Sequence, residues 1–139
     1  MRLFRGSVAV LAFLGFWGIA GCQLEHNIDH KQKWTLKPND VAWYNNDTGT
    51  AVQRKVKVML KAFPSGSNVA AAVVLKDDFE ASKEAMKKGG EPPKYLASHP
   101  GGDRIEFDDI VINPKTPFTV IVLNRSDETV DVELKVKSK

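Results

Sequence analysis

Cys22 is the only cysteine among 139 residues, so it is the chain's sole candidate thiol nucleophile or thiolate metal ligand. One cysteine cannot close an intramolecular disulfide, and a free thiol in an oxidising compartment is a liability. The histidines are as sparse. His26 and His30 stand four apart, a spacing that would place two imidazoles on one helical face. Zinc needs more ligands than two, and "QLEHNIDHKQK" at 23–33 supplies no cluster beside them, so a solvated linker is expected there. Serine-based hydrolysis would need a nucleophile on a sharp turn with histidine and carboxylate in support. "PSGSN" at 64–68 lacks the G-x-S-x-G frame and reads as a hairpin turn, while His99 falls in the loop "SHPGGD". No catalytic residue and no cofactor are expected.

Two other groupings have the right chemistry for binding. "GGDRIEFDD" gathers Asp103, Glu106, Asp108 and Asp109 within seven positions, and calcium takes six to eight hard oxygens. Alternate strand residues face opposite ways, so Glu106 and Asp108 would share one side and Asp109 the other. An ordinary polar face is the expectation, with calcium as the alternative. Trp43 and Tyr44 are adjacent and must also face opposite ways: one packs inward, and the other, with Trp34, is a candidate platform for a sugar ring.

The elements that position these residues begin with an export signal. Arg2 and Arg5 precede "SVAVLAFLGFWGIAG", residues 7–21, which carries no charge. A positive start, an apolar run and small residues form a secretory signal. The run is short of the roughly 18 apolar residues that a spanning helix requires. Its last residues and the cysteine, Ile19-Ala20-Gly21-Cys22, resemble the lipobox of bacterial lipoprotein precursors. The resemblance implies a diacylglycerol on the Cys22 thiol, cleavage between Gly21 and Cys22, and acylation of the freed amine. Gln23 in place of Asp implies the outer rather than the inner membrane, if the host has one. A thioether-capped cysteine is inert, and two or more acyl chains anchor stably where one does not. With Cys22 so used, blue copper loses its required thiolate.

Cleavage before Cys22 leaves 118 of the 139 residues, with 18 basic against 17 acidic side chains. That is one domain's length, enough to bury a core without disulfides or metal. A domain so near neutrality gives no reason to expect nucleic acid as a partner. The expected organisation is a signal over 1–21, a lipidated tether over 22–33 and a folded domain over 34–139.

Within that domain, period-two alternation dominates. Val56, Val58, Leu60 and Ala62 alternate with Lys55, Lys57, Met59 and Lys61, and Val130, Val132, Leu134 and Val136 alternate with Asp131, Glu133, Lys135 and Lys137. "FTVIVLN" at 118–124 is apolar on both faces, as in a central strand, and "NRSDET" reads as the turn of a hairpin that joins it to the last strand. Further strands are expected at 33–37, 40–45, 69–75 and 104–112. In the last of these the phase slips at Asp108-Asp109, which predicts a β-bulge. "DDFEASKEAMKKGG" predicts one short helix over about 77–88, with an Asp N-cap and a capping-box Glu80, stopped by Gly89 and Gly90. "EPPKY" and "SHPGGD" read as irregular connection.

The expected class is therefore all-β, an antiparallel sandwich of about seven strands with one inserted helix. The order strand, short charged helix, Pro/Gly loop and final pair "VLNRSDETVDVELKV" resembles bacterial pre-peptidase C-terminal-like domains and related jelly-roll sandwiches. The resemblance covers about residues 50–137 and implies a non-catalytic module that binds or supports something else. The expected function is a membrane-anchored sandwich, held through lipid on Cys22 in the bacterial envelope, that binds or scaffolds an envelope protein. The alternative is a carbohydrate- or wall-glycan-binding module.

Overall fold

The computed structural model describes residues 28–47, 50 and 52–138. Gly21, Cys22 and His26 lie outside the described residues. Eight strands follow one another along the chain: β1 (Asp29–Leu36), β2 (Val41–Asn46), β3 (Arg54–Phe63), β4 (Val69–Leu75), β5 (Ala97–Gly102), β6 (Arg104–Ile112), β7 (Phe118–Asn124) and β8 (Val130–Ser138). A 3-10 turn, Lys76–Asp78, leads into the helix α1 (Phe79–Lys87) between β4 and β5. The strands form two antiparallel sheets, ordered β1-β8-β3-β6 and β2-β7-β4-β5. Only the β4-to-β5 link stays within a sheet; every other link crosses from one sheet to the other. This is an eight-stranded jelly roll.

The alternating residues build the core as their period requires. Val56, Val58, Leu60 and Ala62 of β3 meet Val132, Leu134 and Val136 of β8 in the interior, opposed by Val69, Ala71 and Val73 of β4. The other face of β4 and β7 is buried too, by α1. Ala70, Ala72 and Val74, with Ile121 and Leu123 of β7, pack under Met86 and Phe79. The alanines leave room for the helix to sit close, and Phe79 and Met86, seven apart, share the side that packs down.

Several expectations change. The segment 97–102 is a strand rather than irregular connection, although it contains Pro100 and two glycines. It survives because β5 is an edge, paired only with β4, where a missing N–H costs no ladder bond. The first strand starts at Asp29, inside the stretch read as a tether, and β1 shows no apolar period there because its half-buried positions are His30 and Gln32. The β7–β8 and β3–β4 connections are arches between sheets and not hairpins. The turn residues suit either geometry, and only long-range pairing separates the two. Asp78 caps α1 without a side-chain hydrogen bond, so the capping box does not form.

The helix stop and the bulge stand as expected. Gly89, at φ +90°, donates its N–H to the Met86 carbonyl and Gly90 donates to Ala85, the paired bonds of a Schellman end. Between Val56↔Ile110 and Val58↔Phe107 the register slips by one residue, with Asp109 at φ +52°.

Candidate functional site

Tyr44 and Trp43 do face opposite ways. Tyr44 turns toward the core, and its ring stacks on His30 at 4.1 Å between centroids with 15° between planes. His30 also bonds Gln32 at 2.9 Å, so this histidine belongs to a strand and not to a solvated linker. Trp43 lies on the helix side. Its ring meets Phe79 at 5.1 Å, and the Lys83 ammonium sits 5.2 Å from both ring centroids. One side of the indole is thus occupied, and what it does is close the edge of the helix–sheet contact. Trp34 packs against the core. The aromatic residues read as a sugar platform are therefore not gathered into one surface.

The four carboxylates read as a calcium alternative are held apart by their own partners. Asp103 accepts the Gly66 N–H at 2.8 Å and the Ser65 hydroxyl at 3.4 Å. The Gly66 bond is the main reason that its carboxyl titrates below the usual carboxylate value. Glu106 and Asp108 flank the Lys57 ammonium at 3.3 and 3.8 Å, and Asp109 occupies the bulge. No three His, Cys, Asp or Glu side chains converge on a point where a metal could sit, among the described residues. His99 lies on β5, where its Nδ1 accepts the Gly101 N–H at 3.2 Å. Tyr95 is exposed, and its hydrogen bond to Glu91 raises the phenol above its usual range.

The arch between β7 and β8 contains the most completely used polar side chain of the sandwich. Asn124 is fully buried. Its Nδ2 donates to the Leu36 carbonyl at 3.0 Å and to the Glu128 carbonyl at 2.8 Å, while its Oδ1 accepts the Ser126 N–H at 2.8 Å. Arg125, next in the chain, turns the other way, and its guanidinium reaches the Met86, Gly89 and Gly90 carbonyls at the end of α1. These two residues tie the strand crossing to the helix; their work is structural.

The surface with unspent chemistry is the outer face of the β1-β8-β3-β6 sheet. Register places Lys33, Glu133 and Lys61 in one row across β1, β8 and β3, then Lys31, Lys135 and Met59, then Asp29, Lys137 and Lys57. Nine neighbouring positions thus carry six lysines against two carboxylates. Of these lysines only Lys57 has a carboxylate within 4.0 Å among the described residues. Shallow depressions of about 240 to 440 Å³ run along this face, walled by Lys33, Lys61, Glu133 and Lys135. No reactive nucleophile lies among these residues. Alternation in β3 and β8 announced the outward lysines, but their assembly into a patch depends on β1 joining the same sheet. Nothing local in the sequence specifies that pairing.

No protein-family model matches the chain, and no curated protein matches it either. Solved structures do. The mitogen from Yersinia pseudotuberculosis superposes with a TM-score of 0.56 at 10% identity, over 81% of this chain and 86% of that one. The pre-peptidase C-terminal domain of collagenase from Bacillus anthracis gives 0.54 at 16% identity, over 78% of this chain and 89% of that one. The resemblance drawn from the strand order is thereby met at the level of architecture. At such identities the likeness establishes a shared β-sandwich fold.

Proposed function

We propose that this chain is an envelope lipoprotein: a non-catalytic jelly roll anchored through lipid on Cys22 that presents one sheet face to a binding partner. The observation that carries the reading is the sequence Ile19-Ala20-Gly21-Cys22 after an uncharged run, with the first strand starting at Asp29, seven positions later. A short tether therefore joins the acylated cysteine to the sandwich. Two features support a binding role over a catalytic one. Buried Asn124 is spent on backbone groups, and the lysine-rich outer face holds no paired nucleophile and base among the described residues. The pre-peptidase domain among the superposed structures supports a module of this architecture outside an enzyme core. Trp43 stays 41% exposed beside Phe79, but Tyr44 turns inward onto His30 and Trp34 packs against the core, so the glycan reading retains one isolated ring and not a platform.

Replacing Cys22 with serine tests the anchor. Unaltered protein should incorporate labelled fatty acid and begin at Cys22, and Cys22→Ser should incorporate none and keep its signal uncleaved. Equal incorporation by the two would contradict the anchor.

A further inference from the structure

We propose that the outer face of the β1-β8-β3-β6 sheet lies against an anionic phospholipid surface, with its lysines among the headgroup phosphates. This rests on the lipid-anchor reading and adds to it an orientation. Two observations converge. The first is charge: six lysines against Asp29 and Glu133 on nine adjacent outward positions of β1, β8 and β3, with Asp131 in the next row and Arg104, Glu106 and Asp108 on the β6 edge, so that the face as a whole keeps an excess of cations. Lysines near an anionic bilayer gain from its negative surface potential within a Debye length, about 8 Å at physiological salt.

The second is where the anchor enters. From Cys22 to Asp29 an extended chain reaches at most about 25 Å. The outward side of β1, Asp29 to Thr35, runs about 20 Å. The anchored end therefore joins the edge strand of this sheet and is long enough to let the face lie flat.

The test couples the chain from Cys22, which contains all eight strands, through its only thiol to maleimide lipid in vesicles. One set is phosphatidylcholine alone, and the other includes roughly a third phosphatidylglycerol. Lysine acetylation rates are then read by peptide mass spectrometry. Lys31, Lys33, Lys61 and Lys135 should label about threefold or more slowly on anionic vesicles, while Lys76, Lys88 and Lys94 on the helix side keep their rates. High salt should erase the difference. In the double variant Lys31→Glu, Lys135→Glu, both substitutions on exposed positions, Lys33 and Lys61 should label on anionic vesicles as they do on neutral ones. Equal rates on the two vesicle types, or protection of the helix-side lysines instead, would overturn the proposal and leave the face to an acidic protein or glycan. The coupling supplies an anchor whether or not the cell does, so this result reads independently of native lipidation.

Discussion

Asn124 sits without solvent exposure at the point where the chain leaves one sheet for the other. Its amide satisfies the buried Leu36 carbonyl and, at the partly buried arch, the Glu128 carbonyl and the Ser126 N–H. Asn124→Ala should therefore lower unfolding free energy by roughly 3 kcal/mol in urea titrations, more than a cavity of that size alone. A loss under about 1 kcal/mol would mean that water replaces the amide. Ser82 presents the opposite case: it is fully buried in α1, and its hydroxyl finds no hydrogen-bond partner. Ser82→Ala removes that unsatisfied group and adds helix propensity, so it should stabilise the protein by about 0.5–1 kcal/mol. Asp103 adds a pH dependence. The Gly66 N–H lowers its carboxyl pKa on folding below the ordinary 3.8, so its contribution is present above that value and is lost as pH falls through the lower, folded value. In denaturation midpoints measured against pH, Asp103→Asn should be less stable than the parent near neutrality, and the gap should close in acid.

The helix α1 acts as a cover over one sheet. Met86 is buried against Ala70, Ala72 and Ile121, and Met86→Ala should cost about 3 kcal/mol, with faster amide exchange throughout α1. At this scale the sequence was legible wherever side chains alternated cleanly. β3, β8 and the doubly apolar β7 follow from periodicity, the Asp108-Asp109 slip marks a real bulge, and Gly89-Gly90 ends the helix as read. β5 was hidden because its stability comes from β4 beside it, and no composition rule favours Ala-Ser-His-Pro-Gly-Gly as a strand. The hairpin readings failed for a related reason. An Asn-Xaa-Ser turn serves an arch as well as a hairpin, and what decides is the sheet to which the next strand belongs. Trp43 and Tyr44 were placed on opposite faces by alternation, but the partners that occupy them, Phe79, Lys83 and His30, come from elsewhere in the chain. The lysine patch was legible strand by strand and invisible as a surface.

Taken whole, the molecule separates its jobs. Residues 22–139 carry 18 basic against 17 acidic side chains, yet nine adjacent outward positions of β1, β8 and β3 hold six lysines against two carboxylates. Such an arrangement has little value to a protein tumbling freely, but it orients one whose N-terminus is fixed at a charged boundary. Everything about that orientation presupposes acylation of Cys22. The most direct measurement is the intact mass of the protein taken from membranes of its native host. A chain beginning at Cys22 and heavier by a diacylglyceryl group and an amide-linked acyl chain is the predicted result. A mass that corresponds to unmodified residue 22, or to a chain that still begins at Met1, would contradict it.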